Sequence, residues 1–194
     1  MTDVRAPRIG GPDEQPPRLD PARLIGALLP DYAVVLGAFG TAAMRQQGLS
    51  PSTLELARLR NATRMDCRLC MNLRRRSALD DGLDEAVVAQ LGDTDASAIT
   101  GVTDAERTAL QLVDAYLWSP GEVPDEVIDR VRRDLTPSQR AQLVLSLVVW
   151  TGNRVLVSLG LDAPVDAHRL TMFDYLPSGA QQYSQYDASD ESTD

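Results

Sequence analysis

Thr136–Gly160 reads TPSQRAQLVLSLVVWTGNRVLVSLG, and this stretch decides the fold class. Thr136 and Gln139 stand three apart, directly ahead of an apolar run. That is the capping-box pattern, in which two side chains satisfy each other's backbone amides at a helix start. Pro137 suits the first helical position. From Leu143 to Trp150 the residues are apolar on nearly every helical side, with Ser146 the one break. A helix of that kind belongs in the middle of a bundle or at a subunit contact. The run falls well short of the about 20 apolar residues a membrane span needs, so it reads as a buried core helix.

Working outward, the rest of the chain also carries the helical period. Thr103-Asp-Ala-Glu106 is a second capping box and opens ERTALQLVDAYLW, with a broad apolar face. Segments 21–29 and 32–47 are apolar at helical spacing on either side of Pro30, with Gly48 placed as a C-cap. Ser50-Pro51-Ser52 starts a further helix, in which Leu54, Ala57, Ala62 and Met65 lie near one stripe. The spacing then predicts a helix from Cys67 to Asp80 closed by Gly82, and a short one at about 84–91. Nothing alternates with period two for long enough to demand a sheet. The expected class is all-α, with about seven or eight helices.

Residues 1–20 hold four Pro and two Gly without periodicity and read as a flexible arm. Residues 176–194 carry four acids and no Arg. They read as disordered, ordered only where Tyr183 and Tyr186 find a surface. The organisation expected is an arm over 1–20, a helical domain over 21–162 and an acidic extension over 163–194. The formal charge is -9, which excludes a nucleic-acid protein with a basic surface. All 19 basic residues are Arg, a pattern that genomic base composition explains. The N-terminus lacks the apolar core of a secretory signal, so the expectation is a cytoplasmic protein without a membrane partner.

The candidate chemistry lies in Met65-Asp66-Cys67-Arg68-Leu69-Cys70-Met71-Asn72-Leu73-Arg74. The protein has two cysteines, spaced CxxC. On a helix, residues three apart share a face, so Cys67 and Cys70 can approach and form a reversible disulfide. Peptide dipoles at a helix start favour a thiolate. Seven Arg between positions 58 and 76, against the single acid Asp66, add a positive field. Redox chemistry stands here beside packing and metal binding. A zinc site takes four protein ligands, or three plus water, and the one His, His168, lies about a hundred residues away. No metal and no bound cofactor are expected.

Leu54-Glu55-Leu56-Ala57-Arg58-Leu59-Arg60, then Cys67-Arg-Leu-Cys70, then Ala78 to Leu91 resemble the central motif of the alkylhydroperoxidase D-like branch of the carboxymuconolactone decarboxylase family. Thr103–Leu110, Val123–Val127 and the long helix through Asn153-Arg154 to Gly160 extend the resemblance over roughly residues 22–162. Its specific part is Glu55, twelve residues before Cys67, and the CxxC itself. The resemblance implies a helical fold that assembles as a homotrimer or homohexamer. It implies that Cys70 is the peroxidatic thiol and Cys67 the resolving one. Glu55 would be the carboxylate of a proton relay.

The chain departs from that pattern where the family places His. Arg74 stands four residues after Cys70, and Leu69 directly precedes it. Arg stabilises a thiolate but cannot act as a general base. Two outcomes follow, a slow peroxidase or a member that has lost the reaction. Glu55 has its own alternatives: a capping box with Ser52, a site role, or an Arg74–Glu55 ion pair in place of the Glu–His couple. Arg74 to Arg76 read most simply as a solvated face, and His168 as a surface residue. Trp150, Asn153 and Arg154 read as packing or subunit contact, with a cavity near the thiols as the alternative.

Three functions compete. The leading one is a thiol-dependent peroxidase or disulfide-exchange protein, with a hydroperoxide or protein disulfide as substrate and a thiol as electron donor. The second is a non-catalytic helical oligomer that binds a partner. The third is a lactone decarboxylase, ranked last because that branch generally relies on His.

Overall fold

The computed structural model describes residues 30–45, 48–92, 95–119, 121–176 and 181–185. The arm expected over 1–20, the helix over 21–29 and Tyr186 lie outside the described residues. The elements run α1 (Pro30–Met44), α2 (Pro51–Arg64), α3 (Arg68–Asn72), β1 (Leu73–Arg75), α4 (Arg76–Asp80), α5 (Glu85–Val88), α6 (Asp104–Trp118), α7 (Asp125–Asp134), α8 (Pro137–Gly152), α9 (Arg154–Leu159), β2 (Thr171–Tyr175) and β3 (Gln181–Gln185). The chain is therefore mostly helical, as expected. Both capping boxes are formed, Thr103 with Glu106 and Thr136 with Gln139.

Which helix occupies the middle is not what hydropathy suggests. The central helix is α2, in which every residue from Thr53 to Ala62 is buried. Leu54 and Ala57 face one core cluster with Leu112, Val113, Val131, Leu143, Leu147 and Trp150. Leu56 and Leu59 face a second, with Leu83, Val87, Leu91, Ile99 and Leu110. Buried between the two are Glu55, Arg58, Arg60 and Asn61. Charged side chains remain in such a place only when paired and hydrogen-bonded. Arg60 meets that condition through Asp114 and the Leu91 carbonyl, to which its Nη1 donates at 2.7 Å.

The apolar helix α8, by contrast, buries one face only. Gln142, Leu143, Ser146, Leu147 and Trp150 point inward, while Val144, Leu145 and Val148 are exposed, as is Val155 on α9. Of the two places read for this helix, the middle of a bundle is thus corrected, and an outer position with one apolar face uncovered is what the fold gives it. Pro137–Leu159, 23 residues, is long and apolar enough to cross a membrane by length and composition, with 33% of its apolar window buried. Helix α1 packs beside α8 and also exposes Val34 and Val35.

Gly48 is not a left-handed helix cap. A Cβ there would lie 2.9 Å from the Ser138 carbonyl oxygen, so glycine is needed for close approach to α8. The Gln142 side chain accepts from the Gly48 and Leu49 amides at 3.1 and 2.7 Å. Gly82, at φ 85, does close α4 in the left-handed region.

A small sheet is the feature that period-two reading did not foresee. Strand β1 interrupts the helix expected over 67–80 and pairs in parallel with β2, Arg75 opposite Phe173. Antiparallel to β2, strand β3 sets Tyr183 against Phe173, ring centroids 6.4 Å apart. Tyr183 packs beside Phe173 in a strand that falls within the stretch read from the sequence as disordered. Each strand has three to five residues, too few to show a period in the sequence.

Candidate functional site: the Cys67–Cys70 pair

The pair sits where α2 gives way to α3. Asp66 takes a left-handed backbone at φ 53, a conformation that Asp tolerates better than most residues. The turn sets Cys67 as N-cap of α3, its Sγ accepting the Cys70 amide at 3.2 Å. The two cysteines are joined in a disulfide, with Cα atoms 5.3 Å apart. Cys67 is 1% exposed, whereas Cys70 is only partly buried. The Asn153 side-chain amide, at the junction of α8 and α9, lies 4.0 Å from the Cys70 sulfur.

Glu55 is fully buried and is not a cap. Helix α2 is capped by Ser50, and the Ser52 amide donates to Asp81 instead. The Ser52 hydroxyl also donates to Asp81, and the two Ser52 bonds, the backbone one foremost, hold the Asp81 carboxyl below its usual value. Glu55 accepts from Arg58 Nε and Nη2 at 2.7 and 2.6 Å, and from the Arg75 backbone N–H at 3.0 Å. Arg58 in turn donates to the Cys70 carbonyl and to the Leu73 carbonyl, both at 2.8 Å. Its guanidinium lies 5.4 Å from the centre of the Phe173 ring. Glu55 thus reaches the pair through Arg58 and the backbone.

The Arg74–Glu55 pair is not formed. Arg74 binds Glu85 through Nε and Nη2, and donates to the Met71 and Leu73 carbonyls. Arg74 and Arg75 are buried, which corrects the reading of that run as a solvated face. The cause is β1, whose pairing with β2 turns the run into the structure. Arg75 lies 3.7 Å from Asp174 and keeps Nε and Nη1 without a hydrogen-bond partner.

The positive field expected around the thiols is also largely neutralised. Arg60 and Arg64 meet Asp114, and Arg68 meets Asp162. These acids come from distant parts of the chain, beyond what a local charge window can register. Asp162 also accepts the Arg68 amide at 3.1 Å, and its carbonyl accepts the Leu69 amide at 2.9 Å. Burial pushes the Asp162 carboxyl up. The Arg68 side-chain and backbone bonds, with the Arg68 charge, outweigh that and hold it below the usual carboxylate value. Asn72 donates to the Asp166 and Arg169 carbonyls, so the chain after α9 grips α3 at both ends. His168 is exposed, as expected. Among the described residues no group of His, Cys, Asp or Glu has the arrangement to hold a metal.

Arg58 and Asp162 are the positioning residues that sequence reading passed over. Glu55 and Arg58 are three apart on a helix, which was a usable signal. Asp162 left none.

No family model matches the chain. Uncharacterized protein MT2376 of Mycobacterium tuberculosis (strain CDC 1551 / Oshkosh) and uncharacterized protein Rv2313c (strain ATCC 25618 / H37Rv) are each 36% identical to it over 132 residues. That region is 68% of this chain and 46% of each relative, so the chain spans about half their length. A cysteine-to-alanine variant of the debrominase Bmp8, solved with 2,3,4-tribromopyrrole, superposes with a TM-score of 0.62 over 75% of this chain and 76% of that one. The likeness is one of fold. At 15% identity it extends no further, and it agrees with the helical class expected from the sequence.

Proposed function

We propose that this protein is a two-electron thiol oxidoreductase, with a hydroperoxide or a disulfide as oxidant and a small or protein dithiol as reductant. One observation carries the reading: a disulfide-linked CxxC whose first cysteine is buried and whose second is only partly buried, its sulfur 4.0 Å from the Asn153 amide. The less buried cysteine is the better placed to meet an outside molecule, so Cys70 takes the peroxidatic role and Cys67 the resolving role. Cys70 thiolate attacks the distal oxygen of ROOH, the O–O bond breaks, and Cys70 becomes a sulfenic acid while RO⁻ takes a proton from water. Cys67 thiol then displaces hydroxide from that sulfur, closing the disulfide and releasing water. A dithiol donor restores both thiols by exchange. Bmp8, named a debrominase, is in keeping with an enzyme on this fold.

Glu55 and Arg74 enter this scheme as residues that hold Cys70 and the following strand in place. With both engaged elsewhere, neither stands beside the sulfur as a general base, and such help is worth about 10²–10⁴-fold. Peroxide turnover is accordingly slow and disulfide exchange comparatively favoured. Assembly as a homotrimer or homohexamer, through the apolar faces of α8 and α1, and a reducing cytoplasmic setting complete the proposal.

The test is a stoichiometric titration of the reduced protein with tert-butyl hydroperoxide, counting free thiols, with Cys70→Ser alongside. Loss of two thiols per chain, abolished in the variant, supports the peroxidase reading. Thiols that persist against peroxide but oxidise with a small disulfide support exchange. If neither reagent reacts, the redox reading is overturned in favour of a scaffold.

A further inference from the structure

Each sulfur of the pair meets an N–H donor of its own. The Cys67 sulfur accepts the Cys70 backbone amide at 3.2 Å, and the Cys70 sulfur lies 4.0 Å from the Asn153 side-chain amide. That second donor comes from 83 residues along the chain, at the junction of α8 and α9. We propose that Asn153 is a catalytic residue of the pair: in the reduced protein its amide donates to the Cys70 thiolate and holds that charge at neutral pH. The inference rests on the oxidoreductase reading for what the thiolate does, but not for how it is held.

Three observations converge on Asn153. The first is that its side chain has no capping task. An Asn at a helix start ordinarily accepts a backbone amide of the first turn, yet at α9 no side-chain cap bond is made. Among the described residues, the contact with the Cys70 sulfur is the polar contact that this side chain makes.

Secondly, the charged groups around the pair are spent on one another. On α2, Arg58 binds Glu55 and reaches Cys70 through its carbonyl, not its sulfur. On α3, Arg68 meets Asp162; on β1, Arg74 meets Glu85 and Arg75 lies beside Asp174. Asp66 in the turn before Cys67, Arg154 on α9 and His168 beyond it are exposed. Asn153, which carries no charge, is the side chain set against the sulfur itself.

Thirdly, the length of the contact suits an oxidised pair. A disulfide sulfur is neutral and accepts weakly, whereas hydrogen bonds to a charged acceptor are shorter and about twice as strong. Reduction therefore tightens the contact. The Cys70 thiol gives its proton to solvent, and the amide keeps both of its own. Asn153 thus holds the nucleophile without serving as acid or base, in keeping with slow peroxide turnover.

The test follows Cys70 alone, by iodoacetamide alkylation of the full chain in a Cys67→Ser background, where Ser still offers the Cys70 amide an acceptor. At about pH 10, above the ordinary cysteine value, Asn153→Leu should react at the rate of the background protein. At about pH 7 it should react about tenfold more slowly, the lower end of what a hydrogen bond to a charged group is worth. Asn153→Asp keeps the size but puts a negative charge in place of the donor, and should be slower still at neutral pH. It also decides the matter if circular dichroism shows that the Leu variant does not fold. No loss at neutral pH, or an equal loss at both pH values, which marks altered access, overturns the role of Asn153. Separately, the wild-type thiols are titrated with tert-butyl hydroperoxide and with a small disulfide. Oxidation by either, with alkylation indifferent to residue 153, refutes the Asn153 role alone. The expected pH-dependent loss, with neither oxidant reacting, leaves that role standing and refutes the redox reading.

Discussion

Replacing Glu55 by Gln tests whether this carboxylate is structural or a proton relay. The side chain is fully buried, and Arg58 binds both its oxygens, at 2.7 and 2.6 Å. Gln keeps the shape but removes the negative charge, leaving Arg58 buried without a counter-ion. Breaking a buried pair by removing one partner costs about 3–5 kcal/mol. The Arg75 amide, 3.0 Å from Glu55, still finds an acceptor in the Gln carbonyl, so little is added there. In a domain of this size each kcal/mol lowers the melting temperature by about 2–4 °C, which gives a fall of roughly 6–20 °C. Arg58→Met should cost a similar amount, because it strands Glu55 and also releases the Cys70 and Leu73 carbonyls. The two losses should not add. Both variants disrupt one contact, so a double-mutant cycle in urea should show a coupling of about 1–3 kcal/mol. If Glu55→Gln unfolds within about 1 kcal/mol of the parent while thiol turnover collapses, the structural assignment is refuted and the relay restored.

Alkylation of the reduced protein should label Cys70 well before Cys67, read by peptide mass mapping, because Cys67 is enclosed; equal rates would contradict the assigned roles. Asp162 gives a pH dependence. Its folded carboxyl is held below the unfolded value, so its contribution to stability is full above about pH 4 and fades as pH falls through the lower folded value. Asp162→Asn should flatten that acid limb in urea melts from pH 5 to 2, and an unchanged slope would show that the Arg68 contacts do not matter. Gly48→Ala should lower stability by about 1–3 kcal/mol, since the added carbon meets a backbone oxygen of α8. Val148→Glu on the exposed face of α8 should shift light-scattering mass from a trimer or hexamer to a single chain; a parent that is already a single chain removes the proposed assembly.

The helical class, both capping boxes, the turn at Gly82 and the CxxC were legible because each depends on residues a few positions apart. A capping box is a spacing of three, and a disulfide between Cys67 and Cys70 needs no distant partner. Burial was not legible in that way. Composition points to α8 for the centre, yet α2 lies there with Glu55, Arg58 and Arg60, because acids and carbonyls far along the chain satisfy each charge. Similarly, Arg74 and Arg75 read as solvent-facing until β2, almost a hundred residues later, pairs with the strand that holds them. The sequence by itself determined the capped helix starts at Thr103 and Thr136 and which pair of cysteines can form a disulfide. Only the tertiary structure decided that Cys70 is the less buried cysteine, that Glu55 answers to Arg58, and that Arg74 answers to Glu85, because charge pairing and burial depend on what long-range packing brings within a few ångströms.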